Sequence, residues 1–239
     1  MNRKEGLSVA LAGIVFLFFM VGCQTNRSTV SDPPVPMKTV TQNSKGDFAT
    51  FEFQLPEGWA SAPKSPLPLT VIGYPESAVQ KNFKSEEDAL PFLVGISNYY
   101  YSGLALSEKD KQMYRDLFAG KTNTYEDRIR QSFARAATML DSGSSNTEIP
   151  EVNFQYQHYD GANGKITEVQ YSYQYNGKKT HIIHCYREDI PYYITGAFDD
   201  SVDLSSGEVA LWVANTLKVT EHFTVDGNQI QKNSAPSNR

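Results

Sequence analysis

Two alternating runs, Ile166 to Tyr175 and Lys178 to Tyr186, meet at Asn176-Gly177. Asn-Gly between such runs marks a type I′ hairpin, because both turn residues need positive φ and the turn's twist matches that of the strands. No other short stretch of this chain constrains its fold as tightly. A two-residue turn fixes the register, so Tyr175 faces Lys178, Tyr173 faces Thr180, Tyr171 faces Ile182 and Val169 faces His184. Side chains alternate along a strand. His184 therefore shares a face with Val169, Tyr171 and Ile182, and His181 and Cys185 share the other face with Glu168 and Ser172.

Further strands are predicted on both sides of this hairpin. Phe51 and Phe53 alternate with polar residues in Phe48 to Phe53, and Leu55-Pro56-Glu57-Gly58-Trp59 turns the chain. Leu69 to Tyr74 and Phe92 to Tyr99 are two more candidates, the latter apolar enough to be covered on both faces. Val152 to Tyr159 precedes a loop over residues 160–164, and Ile190 to Phe198 pairs back through Glu188-Asp189. Ser107-x-x-Asp110, Thr124-x-x-Asp127 and Ser205-x-x-Glu208 resemble capping boxes, and each opens a segment with apolar residues at helical spacing. Gly120 is placed to end the first of these helices. The predicted order is β-β-β-α-α-β-β-β-β-α. Tight hairpins make the sheet mainly antiparallel, and helices grouped apart from strand runs give the class α+β.

The chain has 239 residues, is 40% hydrophobic and 21% charged, and carries a formal net charge of −5. That balance excludes a disordered chain and a multi-span membrane protein. The acidic charge argues against a nucleic-acid partner held through phosphates. Two cysteines are too few for a disulfide framework or a Cys-rich zinc module.

The N-terminus has three parts. Arg3 and Lys4 precede an apolar run from Leu7 to Val21, and Gly22 stands before Cys23. The run is shorter than the roughly 20 residues of a membrane-spanning helix and reads as an export signal. Met20-Val21-Gly22-Cys23 resembles the lipobox of bacterial lipoproteins, with Met20 in place of the usual Leu. The resemblance implies cleavage before Cys23, acylation of its thiol and an extracytoplasmic, membrane-anchored protein. An ordinary signal peptide cut nearby and an uncleaved anchor are the alternatives. Stable anchoring needs two or more acyl chains, each buried CH₂ contributing about 0.8 kcal/mol.

These readings divide the chain into a signal peptide (1–22), a lipidated cysteine with a flexible polar tether (23–46), one folded domain (47–222) and a polar, disordered tail (223–239). A coil of that tether's length spans roughly 25 Å, which would float the domain clear of the headgroups.

The strand ending in Leu55-Pro56-Glu57-Gly58-Trp59, and Ile190 to Phe198 leading into a helix and Leu217-Lys218-Val219, resemble the opening and close of PsbP-like domains. In that family an antiparallel sheet lies between helices. Its members include photosystem subunits, a Ran-binding relative and many bacterial lipoproteins. The resemblance implies a binding or assembly role and carries over no catalytic residues.

Candidate chemistry is sparse. His181 and His184 point to opposite faces of one strand and cannot hold the same ion, and Cys185 and His181 stand roughly 13 Å apart along it. Cys185 as a nucleophile would need a histidine beside it in space; as a small buried hydrophobe it needs nothing. Asp199, Asp200, Asp203 and Glu208 lack calcium-loop spacing and suit a helix N-terminus. No catalytic, cofactor or metal residue is assigned. Tyr171, Tyr173 and Tyr175 lie on one strand face, which is either core or a polar-rimmed aromatic surface for a protein or glycan. The expected function is a non-enzymatic binding or assembly role at the cell envelope. Its partners are membrane lipid, through acylated Cys23, and an envelope protein or wall component. An envelope-acting hydrolase and a small-ligand carrier are the alternatives.

Overall fold

Alternation at Ala49, Phe51, Phe53 and Leu55 buries one side of a strand almost completely, and that strand organises the first of two cores. A computed structural model describes residues 27–43, 49–60, 70–75, 92–98, 106–140, 151–175, 178–199, 208–221, 223–226 and 229–232. The elements in chain order are β1 (Ser28–Thr29), β2 (Met37–Asn43), β3 (Ala49–Pro56), β4 (Trp59–Ala60), β5 (Thr70–Pro75), β6 (Phe92–Asn98), α1 (Glu108–Phe118), α2 (Asn123–Leu140), β7 (Asn153–Gly161), β8 (Gly164–Tyr175), β9 (Lys178–Arg187), β10 (Tyr192–Asp199), α3 (Glu208–Thr216), β11 (Lys218–Glu221), β12 (Phe223–Asp226) and β13 (Gln229–Lys232). The class is α+β and the pairing mostly antiparallel.

Eight strands form one sheet in the order β1-β7-β8-β9-β10-β6-β5-β4, with β1 parallel to β7. Strands β11, β3 and β2 form a smaller antiparallel sheet. The β8–β9 register is the one the Asn-Gly turn dictates, with Val169 opposite His184 and Tyr171 opposite Ile182. Residues 176 and 177 themselves lie outside the described residues.

Each face of the large sheet has its own core. On one face, Val94, Ile96, Ile183, Cys185, Ile194 and Phe198 meet α3 and the inward side of β3. Val209 to Ala214 are all buried, so α3 is apolar on every side and sits inside the molecule. Gly196 lets it approach β10 closely, since a Cβ there would stand 3.3 Å from that of Ala210. On the other face, α1 and α2 cover Val169, Tyr171 and Tyr186 with Met113, Leu117 and Tyr125. Ser107 caps α1 as expected, its side chain accepting from the Asp110 amide at 3.1 Å. Helix α2 starts at Asn123, one residue before the predicted cap. Ser205, the predicted cap of α3, lies outside the described residues.

Three expectations change. Within the tether over 23–46, the stretch from Arg27 to Asn43 is not free, because β1 pairs with β7 and β2 pairs with Thr50 to Pro56 of β3. Val30 is buried, and Met37 and Val40 pack on the first core. The tail over 223–239 contains the β12–β13 hairpin. The loop predicted over 160–164 is tighter: β7 runs to Gly161 and β8 begins at Gly164, whose φ of +143° suits glycine alone.

Candidate functional site: an amide-lined cleft

Strands β7, β8 and β9 turn a polar set of residues to the face that carries α3. Cross-strand pairing arranges them in rows. Gln155 stands opposite Gln170 and then Ile183; Gln157 stands opposite Glu168 and then Cys185; Asn153 stands opposite Ser172 and then His181. Apart from Cys185, these rows floor a cleft of about 500 Å³, walled by Glu208, Leu211 and Trp212 of α3 and rimmed by Thr29 of β1 and Ser31. The volume lies within the roughly 300–1,000 Å³ of small-ligand sites. Glu208, Leu211 and Trp212 fall at i, i+3 and i+4, which puts them on one helix face.

The chemistry of the cleft is mostly uncharged. Glu168 is buried at 4% exposure. Burial pushes its carboxyl above the usual range; the Gln170 amide, donating from Nε2 at 2.6 Å, opposes this, and the charge of Glu208 adds to it. Tyr159 is raised by burial first and then by Glu168. Trp212 is buried, and its indole Nε1 has no hydrogen-bond partner among the described residues. A buried donor left unpaired costs about 1–3 kcal/mol, so it is a standing demand for an acceptor. His181 stacks on Phe198 at one end, with centroids 5.1 Å apart.

Cys185 is fully buried in the first core, and burial, with Glu168 beside it, pushes its thiol well up. That removes the thiolate a nucleophile requires. His184 points to the opposite face, as the register requires. There its Nδ1 lies 2.9 Å from the Tyr125 hydroxyl and 3.0 Å from that of Tyr186, and the two hydroxyls are 2.8 Å apart. Burial lowers the imidazole to about 4. No group of three His, Cys, Asp or Glu side chains able to hold a metal occurs among the described residues. Asp200, Asp203 and the lipid-attachment candidate Cys23 lie outside them.

Of the two readings left open for Tyr171, Tyr173 and Tyr175, the packing at Tyr171 and Tyr173 follows the core one. Tyr171 is buried, and Phe133 of α2 packs on both Tyr171 and Tyr173, with centroids 6.3 and 4.7 Å away. Helix α2 covers this face because its apolar stripe has nowhere else to go. Tyr175 pairs with Lys178 in the ladder. The cleft lies on the reverse face of the same hairpin. In the sequence this face shows only period-two glutamine, serine and asparagine on adjacent strands, a pattern that a solvent-facing strand shares.

No known protein-family model matches the chain, and no curated protein matches it. No helix among the described residues is long and apolar enough to cross a membrane.

Proposed function

We propose that this chain is an extracytoplasmic lipoprotein, anchored through acylated Cys23, whose PsbP-like α+β domain has a non-enzymatic binding role at the cell envelope. The cleft over β7–β9 is its binding site. One observation carries the reading: Trp212, whose buried indole N–H has no partner among the described residues, lines a cleft floored by amides. Such a lining favours an uncharged, hydrogen-bonding ligand that brings acceptors to Trp212 and both donors and acceptors to Gln155 and Gln170. An envelope protein's main chain and an uncharged wall glycan both have this chemistry. A highly charged ligand would meet no compensating cluster there. The anchor rests on Met20-Val21-Gly22-Cys23 behind its apolar run.

A photoreactive residue at Ser172, used in native envelopes, tests the site. Capture of one defined envelope component, lost in Trp212→Phe, supports it; capture unaffected by Trp212→Phe overturns it. Mass analysis of the mature chain tests the anchor. Acylated Cys23 at the new N-terminus is expected, and an unmodified thiol or a retained leader would sink that part.

One observation favours a second reading, a hydrolase acting on envelope material. Glu168 holds its proton more tightly than an ordinary carboxyl, as a general acid does, and Glu208 lines the same cleft. Turnover of wall glycan by the purified chain, abolished in Glu168→Gln with binding kept, would select it.

A further inference from the structure

Arg27 is fastened to the edge of the large sheet. Its Nη2 donates to Glu188 Oε1 at 2.9 Å and its Nη1 to the Tyr159 carbonyl at 3.3 Å. The two side chains of this ion pair are only 16% and 17% exposed. Thr167 Oγ1 donates to the same Glu188 oxygen at 3.0 Å and also meets His158 Nδ1 at 3.0 Å. The next residues leave no slack: Ser28 and Thr29 pair with Tyr159 and Asp160, and Val30 is buried. A shielded pair braced by a ladder and an apolar plug holds the chain far better than an exposed salt bridge.

Residues 24–26 are all that separate Arg27 from Cys23. Four Cα steps of fully extended chain reach at most roughly 14 Å. We infer that an acylated Cys23 holds the β1–β7 edge of the sheet against the bilayer, so that the lipid surface is a fixed partner of this edge. This rests on the lipid anchor proposed above. The opposite edge, β4, lies seven strand spacings away across the sheet, roughly 33 Å. Charge at the anchored edge suits the contact. Arg27 pairs with Glu188, and Asp160 stands opposite Lys165, so cations offset part of the acidity at this edge although the whole chain is acidic. Thr29 and Ser31 also line the cleft, and Thr29 is six Cα steps from Cys23, at most roughly 21 Å. The cleft therefore opens at the level of the headgroups, and its ligand is one presented there.

The test uses the full acylated protein in vesicles of phosphatidylcholine and phosphatidylglycerol containing headgroup-nitroxide lipid. A fluorophore is placed on Asp160→Cys beside β1 or on Glu57→Cys beside β4; both positions are exposed, and buried Cys185 does not compete for the label. Quenching several-fold stronger at position 160 than at 57 is expected. Equal weak quenching means a floating domain, equal strong quenching means one lying flat, and either result overturns the inference. Roughly twenty Gly and Ser residues inserted between Asn26 and Arg27 add about 25 Å of coil. They should bring quenching at 160 down to the level at 57, and no change would overturn the inference as well. The mass of Cys23 is read on the same samples. An unmodified Cys23 overturns both the anchor and the seating, whereas acylated Cys23 with equal quenching overturns the seating alone.

Discussion

The Arg187 guanidinium, carried by β9, donates from Nη1 to the Ala214 carbonyl at 3.0 Å, near the C-terminus of α3. The same nitrogen donates to Leu217 O at 2.9 Å, and Nη2 donates to Asn163 O. Nε and Nη2 together clasp Asp189 at 2.8 and 2.6 Å. A positive charge here satisfies carbonyls the helix leaves unpaired and complements its dipole. Arg187→Met strands these carbonyls in the core, and a loss of about 3–5 kcal/mol in urea unfolding is expected. Asp189→Asn, at a side chain 45% exposed, should cost under about 1 kcal/mol.

Acid should weaken the fold through its buried histidines, while Glu168, raised by burial, contributes a smaller slope of the opposite sign. Burial holds His184 at about 4 in the native state against 6.5 when unfolded. Between those values the unfolded chain binds a proton that the native chain refuses, so stability falls as pH drops through this window and is fully present above it. The bound on the loss is about 3 kcal/mol. His158, lowered by burial and then by Arg27, contributes a slope of the same sign. Unfolding free energies measured from pH 7 to 4 should show the decline, and His184→Phe should remove most of it.

Gly164 closes the β7–β8 turn at φ +143°, where a Cβ would stand 2.5 Å from Asp189 Oδ1. Gly164→Ala therefore strains the backbone and pushes on the carboxylate that clasps Arg187. A loss of about 2 kcal/mol by thermal unfolding is expected.

Cys185 should behave as core. A maleimide reagent should label it fully in urea, and under native conditions only at the rate at which the fold opens. Rapid native labelling would restore it as a reactive group.

What the sequence disclosed follows the strength of the local signals. Asn176-Gly177 determined which residues of β8 and β9 oppose each other, because a two-residue turn admits one register. Ser107 and the alternation through Phe51 and Phe53 were equally explicit, since each residue does locally what the fold requires of it. Strand β2 was hidden because its inward residues are few. Met37 and Val40 are only partly buried, Gln42 is buried though polar, and the ladder is supplied by β3. The cleft was hidden for a different reason. Gln155, Gln157 and Gln170 alternate as any solvent-facing strand does, and only the crossing of α3 above them encloses a volume. Covering the tyrosines likewise depended on where α2 would land, which no short window of sequence encodes.

Helix α3 has a bearing on when the molecule becomes a molecule. Its residues 209–214 are all buried, yet it follows every strand of the large sheet in chain order. Synthesis proceeds from the N-terminus. Until Ala214 has emerged, both sheets lack the piece they close upon, and the growing polypeptide stays open and threadable.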